Sequence, residues 1–146
     1  MDIRRIAPDY AVSPQIAPED IPAIKEAGFS TVLCNRPDEE VPAELQAEAL
    51  RVATEAAGLR FALNPVTHQS LNREVVDRQM QALESSDGPV LAYCASGTRS
   101  SIVWSLGQVG RMETDEIIAA TEKAGYDLAR LRPQLEALRE ADGEAE

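Results

Sequence analysis

The sequence predicts a single α/β domain with a mostly parallel central sheet flanked by helices, and three observations lead there. Short apolar runs alternate with helical patterns along all 146 residues, the ordering that generates strand-helix-strand units. A chain this long buries ~68–70% of its unfolded surface, so one core forms without a disulfide or metal staple. The hydrophobic fraction of 44% and charged fraction of 27% are those of a soluble globular protein, and an aromatic fraction of 4% makes the core aliphatic.

Extended segments near Ile3 to Ile6 and Tyr10 to Val12 come first. Pro18, Glu19 and Asp20 open a helix, with proline and acids in its first turn, and Gly28 closes it. Ser30 to Cys34 reads as a buried strand and Asn35 to Val41 as a polar, acidic loop. The next helix has Leu45, Ala49, Val52, Ala53 and Ala56 as its expected apolar face, ending at Gly58. Leu59 to Leu63 gives another strand, Asn64 to Ser70 a loop, and Val76, Met80 and Leu83 one face of a third helix. Asp87-Gly88 turns the chain into an apolar strand that ends at Cys94. Arg99 to Val109 is expected to be helical, with Ile102, Val103 and Leu106 toward the sheet and Gly110 stopping it. Thr114 is the expected N-cap of a helix through Ala124. A last helix starts near Pro133, and Leu128, Leu131, Leu135 and Leu138 form a core stripe.

The chemistry concentrates where Pro89-Val90-Leu91-Ala92-Tyr93 delivers Cys94 into the loop Ala95-Ser96-Gly97-Thr98-Arg99-Ser100. Open α/β sheets put their sites at such strand tips. A thiolate is a useful nucleophile only when its charge is stabilised. Backbone N–H groups of Ala95, Ser96, Gly97, Thr98 and Arg99 can form an anion-binding nest, with Gly97 free to take positive φ. The following helix points its positive end at the same place. Arg99 adds a planar fork for an oxyanion, and Ser100 a hydroxyl for the thiolate. Cys94, Arg99 and Ser100 are therefore the expected catalytic group.

Strand, Cys-loop-Arg-Ser and helix resemble the active-site loops of tyrosine and dual-specificity phosphatases and of rhodanese sulfurtransferases. Four residues separate Cys94 from Arg99, where the phosphatase signature has five, so the spacing is the rhodanese one. The accompanying rhodanese segments are missing. Instead Val12 to Asp20, Ala27 to Asp38, Pro65-Val66-Thr67 and Ala124 to Leu128 are similar to the phosphatase-like domain of β-lactamase hydrolase-like proteins, also called the DUF442 family of sulfur transferases. That resemblance implies a compact tyrosine- or dual-specificity-phosphatase-like fold, expected over residues 1–142, and the terminal acidic residues 143–146 are expected to fray. Members often carry arginine directly after the cysteine, and this chain has Ala95 there, which leaves a less positive loop.

Phosphatases of this fold supply an aspartic acid that protonates the leaving group, worth ~10²–10⁴ in rate. The corresponding loop here, Asn64 to Ser70, has no carboxylate. An imidazole is a competent proton donor near neutrality, which makes His68 a substitute acid, with Asp38 the weaker alternative. Asn35 and Arg36 follow a strand expected beside the Cys94 strand, so they either face substrate or fix the loop. Cys34 is either a buried apolar residue or a reversible disulfide partner of Cys94.

Sulfur transfer has less need of an acid, so the expected activity is a thiol-dependent sulfurtransferase that carries a persulfide on Cys94. Thiosulfate or glutathione persulfide would be donors, and a thiol such as glutathione an acceptor. The alternatives are a cysteine-dependent phosphatase acting on phosphotyrosine or a small phosphate ester, and a non-catalytic redox or anion-sensing module using Cys94 and Cys34. A net charge of −11 from 25 acidic and 14 basic residues argues against nucleic acid or anionic lipid as partner. No apolar run is long enough for a membrane span and no signal-like segment opens the chain, so a cytoplasmic location is expected. Two cysteines and one histidine are too few for a structural zinc site, and no metal or cofactor is expected.

Overall fold

A computed structural model describes residues 1–145. Its strands are β1 (Arg4–Ala7), β2 (Tyr10–Ser13), β3 (Thr31–Cys34), β4 (Arg60–Leu63) and β5 (Val90–Tyr93). The helices are α1 (Ile21–Glu26), α2 (Ala47–Ala56), α3 (Arg73–Ser85), α4 (Thr98–Gly107), α5 (Thr114–Lys123) and α6 (Arg132–Ala145). The strands form one sheet in the order β1-β2-β5-β3-β4. Only β1 is antiparallel to its neighbour, which fits the expected α/β class.

β5 lies between β2 and β3, with Leu91 opposite both Ala11 and Val32. It is covered on both faces, which is why it reads as an uninterrupted apolar run. On one face Ile21 and Ile24 of α1 and Ala47 and Leu50 of α2 pack on Ala11, Val32, Leu91 and Tyr93. On the other, residues of α3, α4, α5 and α6 cover Tyr10, Val12, Leu33, Val90 and Ala92. Within α4 every residue from Arg99 to Leu106 is buried. A helix enclosed all round needs its polar side chains satisfied locally, and two of its serines manage this on the preceding turn. Ser101 Oγ donates to the Gly97 carbonyl and Ser105 Oγ to that of Ser101, both at 2.8 Å. Trp104 stacks on Tyr10 at 5.9 Å between ring centroids.

Three expectations are corrected. The buried face of α2 is Ala47, Leu50 and Thr54; of the expected Leu45, Ala49, Val52, Ala53 and Ala56, Ala53 packs against that core, whereas Val52 is 55% exposed and Ala56 is exposed. Leu45 falls in a 3-10 turn before the helix, so the phase shifts, and Thr54 tolerates burial by donating to the Leu50 carbonyl at 2.6 Å. Thr114 is the first residue of α5 rather than its cap. Glu113 caps it, and its N–H donates to Glu116 Oε1 at 3.0 Å. Helix α4 ends at Gly107, short of Val109. The leucine stripe does pack on the core, with Leu128 and Leu135 buried and Leu131 and Leu138 partly so. The backbone of α6 runs to Ala145, into the segment expected to fray, and Glu146 lies outside the described residues.

The corrected phase of α2 sets an expectation for stability. Leu50→Ala should lower the unfolding free energy by ~2–5 kcal/mol, while Val52→Ala stays within ~0.5 kcal/mol. Urea midpoints of the two variants check this.

Candidate active site

Cys94 follows β5 directly, and its own N–H donates to the Ser13 carbonyl at 3.4 Å. The thiol is fully buried, and the Gly97 N–H donates to its Sγ at 3.1 Å. Gly97 carries the turn at φ +95°, in the left-handed region, and is the N-cap of α4. A Cβ there would also collide with the Tyr126 hydroxyl. That hydroxyl donates to the Ser96 carbonyl at 3.0 Å, and Arg4 lies over the same ring at 5.5 Å. Ala95 and Ser96 are exposed at the mouth, where Ser96 Oγ bonds Thr98 Oγ1 at 3.0 Å.

Arg99 and Ser100 open α4 from inside. Arg99 Nη1 donates to Glu40 Oε2 (2.8 Å) and to the Val66 carbonyl (2.9 Å), and Nη2 donates to Glu40 Oε1 (2.7 Å). A guanidinium has five N–H donors, so Nε–H and one Nη2–H remain for the neighbouring Cys94 sulfur and for whatever occupies the space beside it. Glu40 above all, with Cys94 assisting, pushes the Arg99 pKa above its ordinary value against the effect of burial. Conversely, the Arg99 hydrogen bonds, helped by Arg36, hold the Glu40 carboxyl below its usual range. Ser100 Oγ is buried without a hydrogen-bond partner. A buried hydroxyl in that condition is costly unless a ligand or ion completes it.

The other sequence-predicted residues divide sharply. Arg36 reaches the mouth, where Nη1 bonds Gln15 Oε1 and Nε bonds Glu40 Oε1, both at 3.2 Å. Asn35 is fully buried beneath the loop, which leaves the loop-fixing alternative. Its Nδ2 donates to the Asn64 carbonyl (2.9 Å) and to Gln79 Oε1 (2.8 Å). Gln79 Nε2 then donates to the Tyr10 hydroxyl (2.9 Å), which donates to the Ser100 carbonyl (2.8 Å). This chain ties the ends of β2 and β3 and the middle of α3 to the first turn of α4.

Asp38 Oδ1 accepts the Ala47 N–H at 2.8 Å, so this carboxylate caps α2. His68 is exposed on the loop after β4, two residues beyond the Val66 carbonyl that holds Arg99. Cys34 pairs across the sheet with Tyr93, which puts it on the face opposite the one that strand alternation gives Cys94. Its Sγ donates to the Arg36 carbonyl at 3.3 Å, and burial pushes its pKa up. Both thiols are free and buried, and of the two alternatives for Cys34 the structure shows the buried apolar one, packed in the core face of Val32, Leu91 and Tyr93. Among the described residues no His/Cys/Asp/Glu cluster is placed to hold a metal, and no helix is long and apolar enough to cross a membrane.

Glu40, Gln79, Tyr10, Asn64 and Tyr126 are the contributors that the sequence reading did not single out. Two had a signal. Arg36 and Glu40 stand at i, i+4 in one acidic loop, and Gln79 interrupts the apolar side of α3 set by Val75, Val76 and Leu83.

Residues 2–111 match the family described as beta-lactamase hydrolase-like protein, phosphatase-like domain. A beta-lactamase hydrolase-like protein of Xylella fastidiosa is 31% identical over 132 residues, covering 89% of this chain but 31% of the relative, so the chain spans about a third of that protein. Among solved structures, a Neisseria meningitidis protein provisionally named a phosphatase superposes with a TM-score of 0.82 at 32% identity. It covers 94% of this chain and 98% of its own. P. aeruginosa TpbA, solved in complex with phosphotyrosine, superposes with a TM-score of 0.62 at 20% identity, over 96% and 89% of the two chains. At that identity the likeness is one of fold.

Two outcomes follow from the geometry. Gln79→Ala strands the partners of one buried amide, each orphan costing ~1–3 kcal/mol, so chemical denaturation should show a loss of at least that size. Glu40 has a folded pKa below its unfolded one. Its contribution is therefore complete above the unfolded value (~4.3) and fades as pH falls through the folded one. Glu40→Gln should be less stable than wild type near neutrality, with the gap narrowing on acidification below about pH 4 in pH-dependent melts.

Proposed function

The chain belongs to the phosphatase-like domain family of beta-lactamase hydrolase-like proteins, and from that membership we propose that it is a cysteine-dependent phosphatase acting on phosphate monoesters. One observation carries the reading: Arg99 is clamped by Glu40 and Val66 on one edge and keeps its other donors for an anion beside Cys94. A planar fork of that kind suits two oxygens of a phosphoryl group. The Cys94 sulfur attacks phosphorus as a thiolate, a sulfur–phosphorus bond forms, and the ester oxygen departs. Water then displaces the thiolate and releases inorganic phosphate. The Gly97 N–H, which already donates to the sulfur at 3.1 Å, steadies it as nucleophile and leaving group. The exposed Ser96 and the partly buried Arg36 border the substrate. The phosphotyrosine complex of P. aeruginosa TpbA supports a phosphate ester as ligand for this fold.

A second reading rests on a specific observation, the four-residue spacer between Cys94 and Arg99. In it the Cys94 thiolate attacks the sulfane sulfur of thiosulfate, a new sulfur–sulfur bond forms as the bond to the sulfonate sulfur breaks, and sulfite leaves with that electron pair.

Inorganic phosphate release from nitrophenyl phosphate, measured beside thiocyanate formation from thiosulfate and cyanide, separates the two. The expected result is phosphate release that Cys94→Ser abolishes and that Arg99→Lys lowers by ~10²–10³-fold, the value of one fixed oxyanion donor. Cys94-dependent thiocyanate without phosphate release would replace the phosphatase reading with sulfur transfer.

A further inference from the structure

Resting on the phosphatase reading, we propose that the site is specific for phosphoryl compounds whose leaving group departs as a stable anion, namely acyl phosphates and electron-poor aryl phosphates. Among the described residues, the carboxylates bonded at the rim of the site, Asp38, Glu40 and Asp127, all act as acceptors, and none of them is placed to give a proton to a leaving oxygen.

The site is ringed by the segments that follow β2, β3, β4 and β5, together with the turn carrying Tyr126. The segment after β4 that holds Val66 against Arg99 runs from Asn64 to Asn72 without an aspartate or glutamate. The segment after β5 has none before α4, and neither does the stretch Pro14 to Ala17 after β2. The segment after β3 is acidic, yet its acids are committed. Asp38 caps the Ala47 N–H. Glu40 accepts from Arg99 on both oxygens and from Arg36 on one. A carboxyl holding two guanidinium groups acts in its ionised form, and protonating it would break the clamp that orients Arg99. Its low pKa agrees. Glu39 and Glu44 are exposed, and among the described residues neither bonds the loop. Beside Tyr126, Asp127 Oδ1 accepts the Ala129 N–H at 3.2 Å.

Chemistry follows from that arrangement. As the Cys94–phosphorus bond forms, the bond from phosphorus to the leaving oxygen breaks, and its electron pair stays on that oxygen with no proton delivered. A carboxylate or an electron-poor phenolate accepts the charge, whereas a phenolate or alkoxide accepts it poorly. In the second half-reaction water adds to phosphorus, loses its proton to solvent, and Cys94 departs as a thiolate.

The test is kcat/KM for a graded series: acetyl phosphate and dinitrophenyl phosphate, then nitrophenyl phosphate, then phenyl phosphate, with Cys94→Ser as the blank. The expected result is a steep fall along the series, at least as large as the ~10²–10⁴-fold that a general acid supplies. No basic limb attributable to a proton donor should appear in the pH profile of the good substrates. A shallow series with full Cys94-dependent turnover, or one that His68→Gln steepens, overturns the inference and leaves the phosphatase reading standing. No Cys94-dependent phosphate release, even from acetyl and dinitrophenyl phosphate, overturns both.

Discussion

The organisation of this protein depends on one constraint: the backbone must pass from a fully enclosed strand to a fully enclosed helix through a handful of residues, and leave a thiol at the turn. β5 and the Arg99–Leu106 stretch of α4 have no solvent-facing side. The loop between them cannot relax outward without dragging core elements along. Gly97 makes the turn affordable by occupying the left-handed region. The Asn35–Gln79–Tyr10 chain then fixes the first turn of α4 through the Ser100 carbonyl. Buried polar networks of this kind are stabilising only when every member is satisfied. Each of these three side chains has a partner, and the Ser100 hydroxyl beside them does not.

Much of this was legible from the residues alone. Strands β2 to β5 are signalled by short apolar runs, β1 only by Ile3 and Ile6 around two arginines, and the loop from Cys94 to Ser100 by its glycine, arginine and serines at the end of β5. Those signals are local, so a sequence displays them. The Glu40–Arg99 clamp is not local: 59 residues separate its partners, and nothing in an acidic loop says which acid turns inward. The phase of α2 was ambiguous because alanines populate more than one side of it, and the outcome was decided by Leu50 and a self-satisfied Thr54. Asn35 carried two readings until the structure placed it beneath the loop.

The charge balance is also clearer with the fold in view. A chain of net charge −11 presents an unfavourable field to any anion, so attraction must be short-ranged. On the phosphatase reading Arg99 and Arg36 would supply it, and both are engaged by the same carboxylate. Glu40 thus fixes the arginines at the expense of part of their charge. What remains favours geometric selection over long-range capture, because fixed donors discriminate shape where a free charge would not.

The prop on the outer side of the loop comes from far along the chain. Tyr126 reaches the Ser96 carbonyl and stands under Arg4, while the family match ends at residue 111. A fragment trimmed to the matched segment would hold the cysteine, its loop and both arginines, and would lack the tyrosine that props the Ser96 carbonyl of that loop. For anyone dividing larger relatives into modules, a cut at the end of the family match therefore loses a contact that the 89% alignment with the Xylella fastidiosa relative still spans.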